Sequence, residues 1–110
     1  MFTVTKRLEI SAAHKLTLDY PSPCNRLHGH NWIIEVTCQR EKLNRNGMVV
    51  DFKKVKNVVT DMLVHQYLND VLGVNPTAEN IALWICNTVP FCVKVKVQES
   101  EGNAAVYEKD

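Results

Sequence analysis

The chain has 110 residues, 45% hydrophobic and 23% charged, which suits one soluble domain with its own core but is small for a domain that also encloses an active site. Its net charge is +1 with Lys and Arg scattered, leaving no electrostatic footprint for nucleic acid, and no segment approaches the roughly 18 apolar residues of a membrane span. The expectation is a single domain over residues 1–110, cytoplasmic, with no nucleic-acid or membrane partner and with room for a site shared between subunits.

Residues 2–14 alternate, with Phe2, Val4, Leu8, Ile10 and Ala12 on even positions and Thr3, Thr5, Arg7, Glu9 and Ser11 on odd ones. That is the period of a half-buried strand. Pro21-Ser22-Pro23 then marks a loop carrying Cys24. Residues 30–38 alternate again, with Trp32, Ile34, Val36 and Cys38 in one phase. Asn44-Arg45-Asn46-Gly47 reads as a turn, and Asp51 as the N-cap of a helix with Phe52, Val55, Val58, Val59, Met62 and Leu63 at helical spacing. A second helix starts after Asn75-Pro76 with Thr77 as its cap and Ile81, Trp84, Ile85 and Thr88 on one stripe. Residues 93–99 predict a third strand with Val93, Val95 and Val97 facing one way, and Glu101-Gly102-Asn103 a turn into a last strand ending near Tyr107. The order ββααββ implies an α+β domain, a four-stranded antiparallel sheet with two helices on one face. Cys38, Cys86 and Cys92 sit in apolar runs and read as core thiols, with no CxxC pair.

His28-Gly29-His30 puts two imidazoles on the same side of an extended segment, and His14 ends the even face of the first strand. If the two strands pair, all three converge at one end of a shared apolar face. Three neutral nitrogen ligands with a fourth position left open is the arrangement of catalytic zinc. A closed structural site with Cys24 as the fourth ligand is the rival reading.

His65 follows the stripe of Val58, Met62 and Leu63 and is expected on that helix, pointing toward the sheet. It is either a core histidine or a general acid/base, and together with the Cys24 thiol it suits proton transfer near neutral pH. Glu99 extends the apolar phase of Val93, Val95 and Val97 onto a carboxylate, whose burial calls for a partner; the guanidine-like edge of a 2-amino-4-oxopterin would supply two donors. The alternative is that the strand stops at Gln98 and Glu99 belongs to the turn. Thr77 is a cap whose hydroxyl also faces any polar ligand at that helix end.

Four stretches carry a family resemblance: Ile10-Ser11-Ala12-Ala13-His14-Lys15-Leu16; Cys24-Asn25-Arg26-Leu27-His28-Gly29-His30; Gly47-Met48-Val49-Val50-Asp51-Phe52; and Pro76-Thr77-Ala78-Glu79-Asn80 with Val97-Gln98-Glu99-Ser100. The chain resembles the 6-pyruvoyltetrahydropterin and 6-carboxytetrahydropterin synthases over nearly its whole length. The short interval between Cys24 and His28 is similar to the bacterial carboxytetrahydropterin branch, and so favours queuosine-precursor synthesis. That resemblance implies a T-fold assembled edge to edge as a homotrimer or homohexamer with sites between subunits. It also implies a carbon–carbon lyase that converts 7,8-dihydroneopterin triphosphate to 6-carboxytetrahydropterin, acetaldehyde and triphosphate. By the same resemblance His14, His28 and His30 would hold Zn²⁺, Cys24, His65 and Glu99 would be catalytic, and Glu99 would also anchor the pterin with Thr77 beside it. The sequence departs from the family at Val64, where an aspartate usually precedes the histidine. Asp61, four residues before His65, is expected to replace it as the orienting acid if both lie on one helix.

Overall fold

The first two alternating segments pair along their whole length. In the computed structural model, which describes residues 1–110, β1 (Phe2–His14) runs antiparallel to β2 (His28–Arg40), with Leu8 opposite Ile34, Ala12 opposite His30 and His14 opposite His28. The chain continues through α1 (Phe52–Leu63), α2 (Leu68–Leu72) and α3 (Ala78–Thr88) to β3 (Cys92–Ser100) and β4 (Asn103–Glu108). The sheet order is β1-β2-β3-β4, antiparallel throughout.

In-phase apolar residues make one face of this sheet the core. Leu8, Ile10, Trp32, Ile34, Val36, Val95 and Val97 are buried under Val55, Val59 and Leu63 of α1 and Ile81, Ala82, Ile85 and Cys86 of α3. Each fully buried large aliphatic side chain contributes about 1.5–3 kcal/mol relative to exposure. The opposite phase is polar, as Lys94 and Lys96 show. Both predicted caps form: the Asp51 carboxylate accepts from the Lys53 N–H at 2.8 Å, and the Thr77 hydroxyl accepts from the Asn80 N–H at 3.2 Å.

Five details differ from the sequence reading. There are three helices instead of two; α2 was invisible because it buries a single residue, Leu68, before Gly73 (φ 71°) ends it, too little for a period. On α1 the buried row is Val55, Val59 and Leu63, so the flanking Phe52 and Met62 project into solvent. On α3 Ala82 and Cys86 join Ile81 and Ile85 in the core, while Thr88 is exposed and donates its hydroxyl hydrogen to the Trp84 carbonyl at 2.7 Å. A bulge opposite Thr37 and Cys38 breaks the β3 alternation and buries Cys92, rather than Val93, across from Cys38.

The fifth concerns His65. Helix α1 ends at Leu63 with Val64 as its C-cap, and His65 has φ 58°, outside the helix and exposed. The segment leaves the helix to run along the free edge of β1, where the His65 N–H donates to the Ser11 carbonyl at 2.7 Å and the Ala13 N–H to the Gln66 carbonyl at 3.1 Å. Satisfying that strand edge takes precedence over another helical turn.

Cys38, Cys86 and Cys92 are free and buried. Burial pushes the Cys86 thiol up to about 12, and the hydrogen bond with Cys38 raises Cys92, so both stay protonated in the core.

Candidate metal centre

Strand phase and register bring three imidazoles together. His14 closes β1, His28 opens β2 directly opposite, and His30 follows two residues later on the same face. Their ring centroids lie 4.5 Å (His14–His28), 5.1 Å (His14–His30) and 4.8 Å (His28–His30) apart. One nitrogen from each falls within 4.8 Å of the others. Zinc–nitrogen bonds of about 2.0–2.1 Å at tetrahedral angles need nitrogens about 3.4 Å apart, so the rings would draw closer on binding an ion.

Hydrogen bonding decides which nitrogens face inward. His14 Nδ1 lies 2.8 Å from the Pro76 carbonyl oxygen and His28 Nδ1 2.7 Å from that of Arg26. A carbonyl only accepts, so each Nδ1 carries the hydrogen and leaves Nε2 with its lone pair. The Nε2 atoms of His14 and His30 are buried with no hydrogen-bond partner. Buried polar atoms are almost always satisfied, so two unpartnered ring nitrogens within one histidine cluster fit a bound cation. Electrostatics agrees. Burial lowers the pKa of His14 despite the Pro76 hydrogen bond, and burial lowers that of His30 against the opposing pull of Glu99. Both rings are therefore held neutral, the form that ligates a metal.

Glu99 lies within β3, not in the turn, in phase with Val95 and Val97, at a bulge between Gln98 and Ser100. Its carboxylate reaches 3.4 Å from His30 Nε2, without hydrogen-bond alignment. Cys24 sits half-buried on a 3₁₀ turn, Pro23–Asn25, capped by Ser22. It is not part of the three-histidine cluster. Cys24, Thr77 and Glu99 line one cleft of about 680 Å³ together with Leu16 and Tyr20. His65 lines a different cavity of about 560 Å³, with Ser11, Gly29, His30 and Tyr67. The structure thus gathers Cys24, Thr77 and Glu99 in one cleft, which adjoins the histidines through Glu99, and places His65 in a separate cavity that shares His30 with the cluster. The expected Asp61–His65 pair does not form, because α1 ends before His65 and Asp61 is exposed without an ion-pair partner. Sequence reasoning missed the carbonyls of Pro76 and Arg26, which carry no side-chain signature.

A sequence model of the 6-pyruvoyl tetrahydropterin synthase family matches residues 3–110. The 6-carboxy-5,6,7,8-tetrahydropterin synthase of Bacillus subtilis is 30% identical over 123 aligned residues, covering 96% of this chain and 84% of the relative. The dihydroneopterin monophosphate aldolase of Pyrococcus furiosus is 38% identical over 97 residues, covering 82% and 80%. Among solved structures, Caenorhabditis elegans 6-pyruvoyl tetrahydropterin synthase superposes with a TM-score of 0.75 over 99% of this chain and 96% of that one, at 24% identity, a match of the T-fold. The chain therefore belongs to the 6-pyruvoyl tetrahydropterin synthase family of enzymes.

Proposed function

We propose that this protein is a zinc-dependent 6-carboxy-5,6,7,8-tetrahydropterin synthase of queuosine biosynthesis, converting 7,8-dihydroneopterin triphosphate and water to 6-carboxytetrahydropterin, acetaldehyde and triphosphate in the cytoplasm. The observation that carries the reading is the convergence of three imidazoles, two with orphaned Nε2 atoms, beside a cleft that also holds Cys24 and Glu99. The name and coverage of the Bacillus subtilis relative favour the carboxy product. No helix is long and apolar enough to cross a membrane.

His14, His28 and His30 would hold the metal, which when bound supplies Lewis-acid polarisation of the substrate's side-chain hydroxyls. Glu99 accepts the two N–H donors on the 2-amino edge of the pterin, the bidentate pairing that a carboxylate makes best. Cys24, on the same cleft, removes the proton from the substrate side chain as a thiolate. His65 works with it from a neighbouring subunit. Its cavity is separate from the Cys24 cleft within one chain, and its segment covers the outer edge of β1. The edge of β4, and that of β1 ahead of the Ser11–Ala13 stretch that the His65 segment covers, suit edge-to-edge closure into a trimer or hexamer.

A second reading, aldol cleavage of dihydroneopterin monophosphate, is favoured by the 38% identical aldolase relative. The test incubates zinc-loaded protein with each phosphate ester and identifies the products, with Cys24→Ala as control. Acetaldehyde and 6-carboxytetrahydropterin in equal amounts, lost in the control, support the synthase. A 6-pyruvoyl product would make it a pyruvoyl-forming enzyme, and 6-hydroxymethyldihydropterin from the monophosphate an aldolase. Tight pterin binding with no product from either ester would leave a binding protein.

A further inference from the structure

Two of the three candidate ligands are oriented by hydrogen bonds, and the third is not. His14 and His28 are each pinned through Nδ1 by a backbone carbonyl. His30 has no such bond; its Nε2 is unpaired, and its polar neighbour is the poorly aligned Glu99 carboxylate 3.4 Å away. An imidazole free to rotate about its side-chain torsions must be ordered when it takes up a metal, which costs affinity unless something else fixes it.

Trp32 is placed to do so. It follows His30 by two residues on the same face of β2 and is 1% exposed. Its indole Nε1 donates to the Ala12 carbonyl at 3.1 Å, and Ala12 is the residue directly opposite His30 in the ladder. The indole is therefore tied across both strands at the level of the histidines. Its ring stands edge-on to His30 (centroids 5.1 Å apart, planes at 78°) and to His14 (4.9 Å, 84°). One ring braces two candidate ligands, in the T-shaped geometry aromatic pairs prefer.

We propose that Trp32 is the positioning residue of the metal centre, holding the His30 ring where a hydrogen bond holds the other two. The inference rests on the reading of the three histidines as a metal site, and it goes beyond that reading by giving a core tryptophan a measurable part in metal affinity.

The test is zinc affinity, measured by competition with a chromophoric chelator, for wild type, Trp32→Phe, Trp32→Leu and Trp84→Phe. Phe keeps an aromatic edge and loses the indole tie; Leu loses both. Expected is a loss of about tenfold for Trp32→Phe and more for Trp32→Leu, within the roughly 10–100-fold typical of residues that orient metal ligands. Trp84→Phe, altered on α3 and outside the histidine cluster, binds like wild type. Folded Trp32 variants that bind zinc as tightly as wild type overturn the proposal. A second measurement leaves Trp32 intact. The chain has two tryptophans, so Trp84→Phe leaves Trp32 as the sole tryptophan, and its selectively excited fluorescence is expected to change on zinc addition and saturate at the chelator-derived stoichiometry. Emission that stays flat while zinc binds overturns the proposal as well. Failure of wild type to bind zinc overturns the metal reading itself, and this inference with it.

Discussion

The Nδ1 nitrogen of His14 lies 2.8 Å from the carbonyl oxygen of Pro76, 62 residues further along the chain, so the last residue of β1 is oriented by the loop that starts α3. That loop is held by the helix cap: the Thr77 hydroxyl accepts from the Asn80 N–H, and the Asn80 side-chain amide donates to the Asn75 carbonyl at 2.9 Å. Thr77→Ala is expected to lower stability by about 1 kcal/mol in urea denaturation, the usual worth of an N-cap. It should also weaken zinc binding, while Thr77→Ser keeps both. Unchanged zinc affinity in Thr77→Ala would show that the Pro76 carbonyl is fixed independently of the cap.

Acid should weaken the metal-free protein through the same histidines. Burial is the main reason that the pKa values of His14 and His30 lie below the ordinary 6.5. The unfolded chain therefore takes up these protons first, and the native state loses stability as pH falls below about 6.5. The urea midpoint of metal-free protein should be flat between pH 7 and 8 and drop toward pH 5. His14→Gln should flatten part of that drop. Zinc affinity should fall over the same range, because protonation competes with the metal.

If one subunit supplies Cys24 and its neighbour His65, two inactive variants should rescue each other. Cys24→Ala and His65→Asn are each expected to lose about 10²–10⁴-fold in kcat, the usual worth of a proton-transfer group. Asn is chosen because it tolerates the left-handed backbone that His65 adopts at φ 58°. Co-refolded mixtures should regain activity at sites that combine one intact residue from each chain. Mixtures as inactive as their parents would argue that the site lies within one subunit.

Much of this was legible in the sequence, for reasons that also explain the rest. Strict alternation in β1 and β2 specified both the buried face and the convergence of His14, His28 and His30, since a one-residue slip would have turned the histidines apart. Asp51 and Thr77 announced their helices as caps. His65 was misplaced because helical spacing through Leu63 gives no notice that the next residues must satisfy the edge of β1, a long-range demand. The two bulges in β3 were equally silent: each shifts the register by one residue, and the residues around Val93 and Glu99 carry no turn signal that marks them.

Val64 stands where the family resemblance implies an aspartate, and here its half-buried side chain packs against the core as the C-cap of α1. A carboxylate at that position would lose solvation without a partner. Val64→Asp is therefore expected to cost about 1–3 kcal/mol of stability with no gain in turnover. Thermal denaturation and kcat measured on one preparation test this, and a faster enzyme would mean that Val64 limits the native reaction.

Glu99 separates pterin binding from metal binding. Its carboxylate stands at the junction of the cleft and the histidine cluster, 3.4 Å from His30 Nε2. Glu99→Gln preserves size but replaces one acceptor oxygen with a donor, so bidentate pairing with a 2-amino-4-oxo ring fails. The KM for the pterin ester should rise by about 10–100-fold, in line with about 1.5–3 kcal/mol for a hydrogen bond to a charged group. Zinc stoichiometry should be unchanged, because Glu99 is not one of the clustered ligands. Competitive binding of an unreactive pterin should weaken by the same factor as KM rises, since the ring contact is made alike in substrate and inhibitor. A variant that loses kcat with KM unchanged would instead assign Glu99 to the proton transfers.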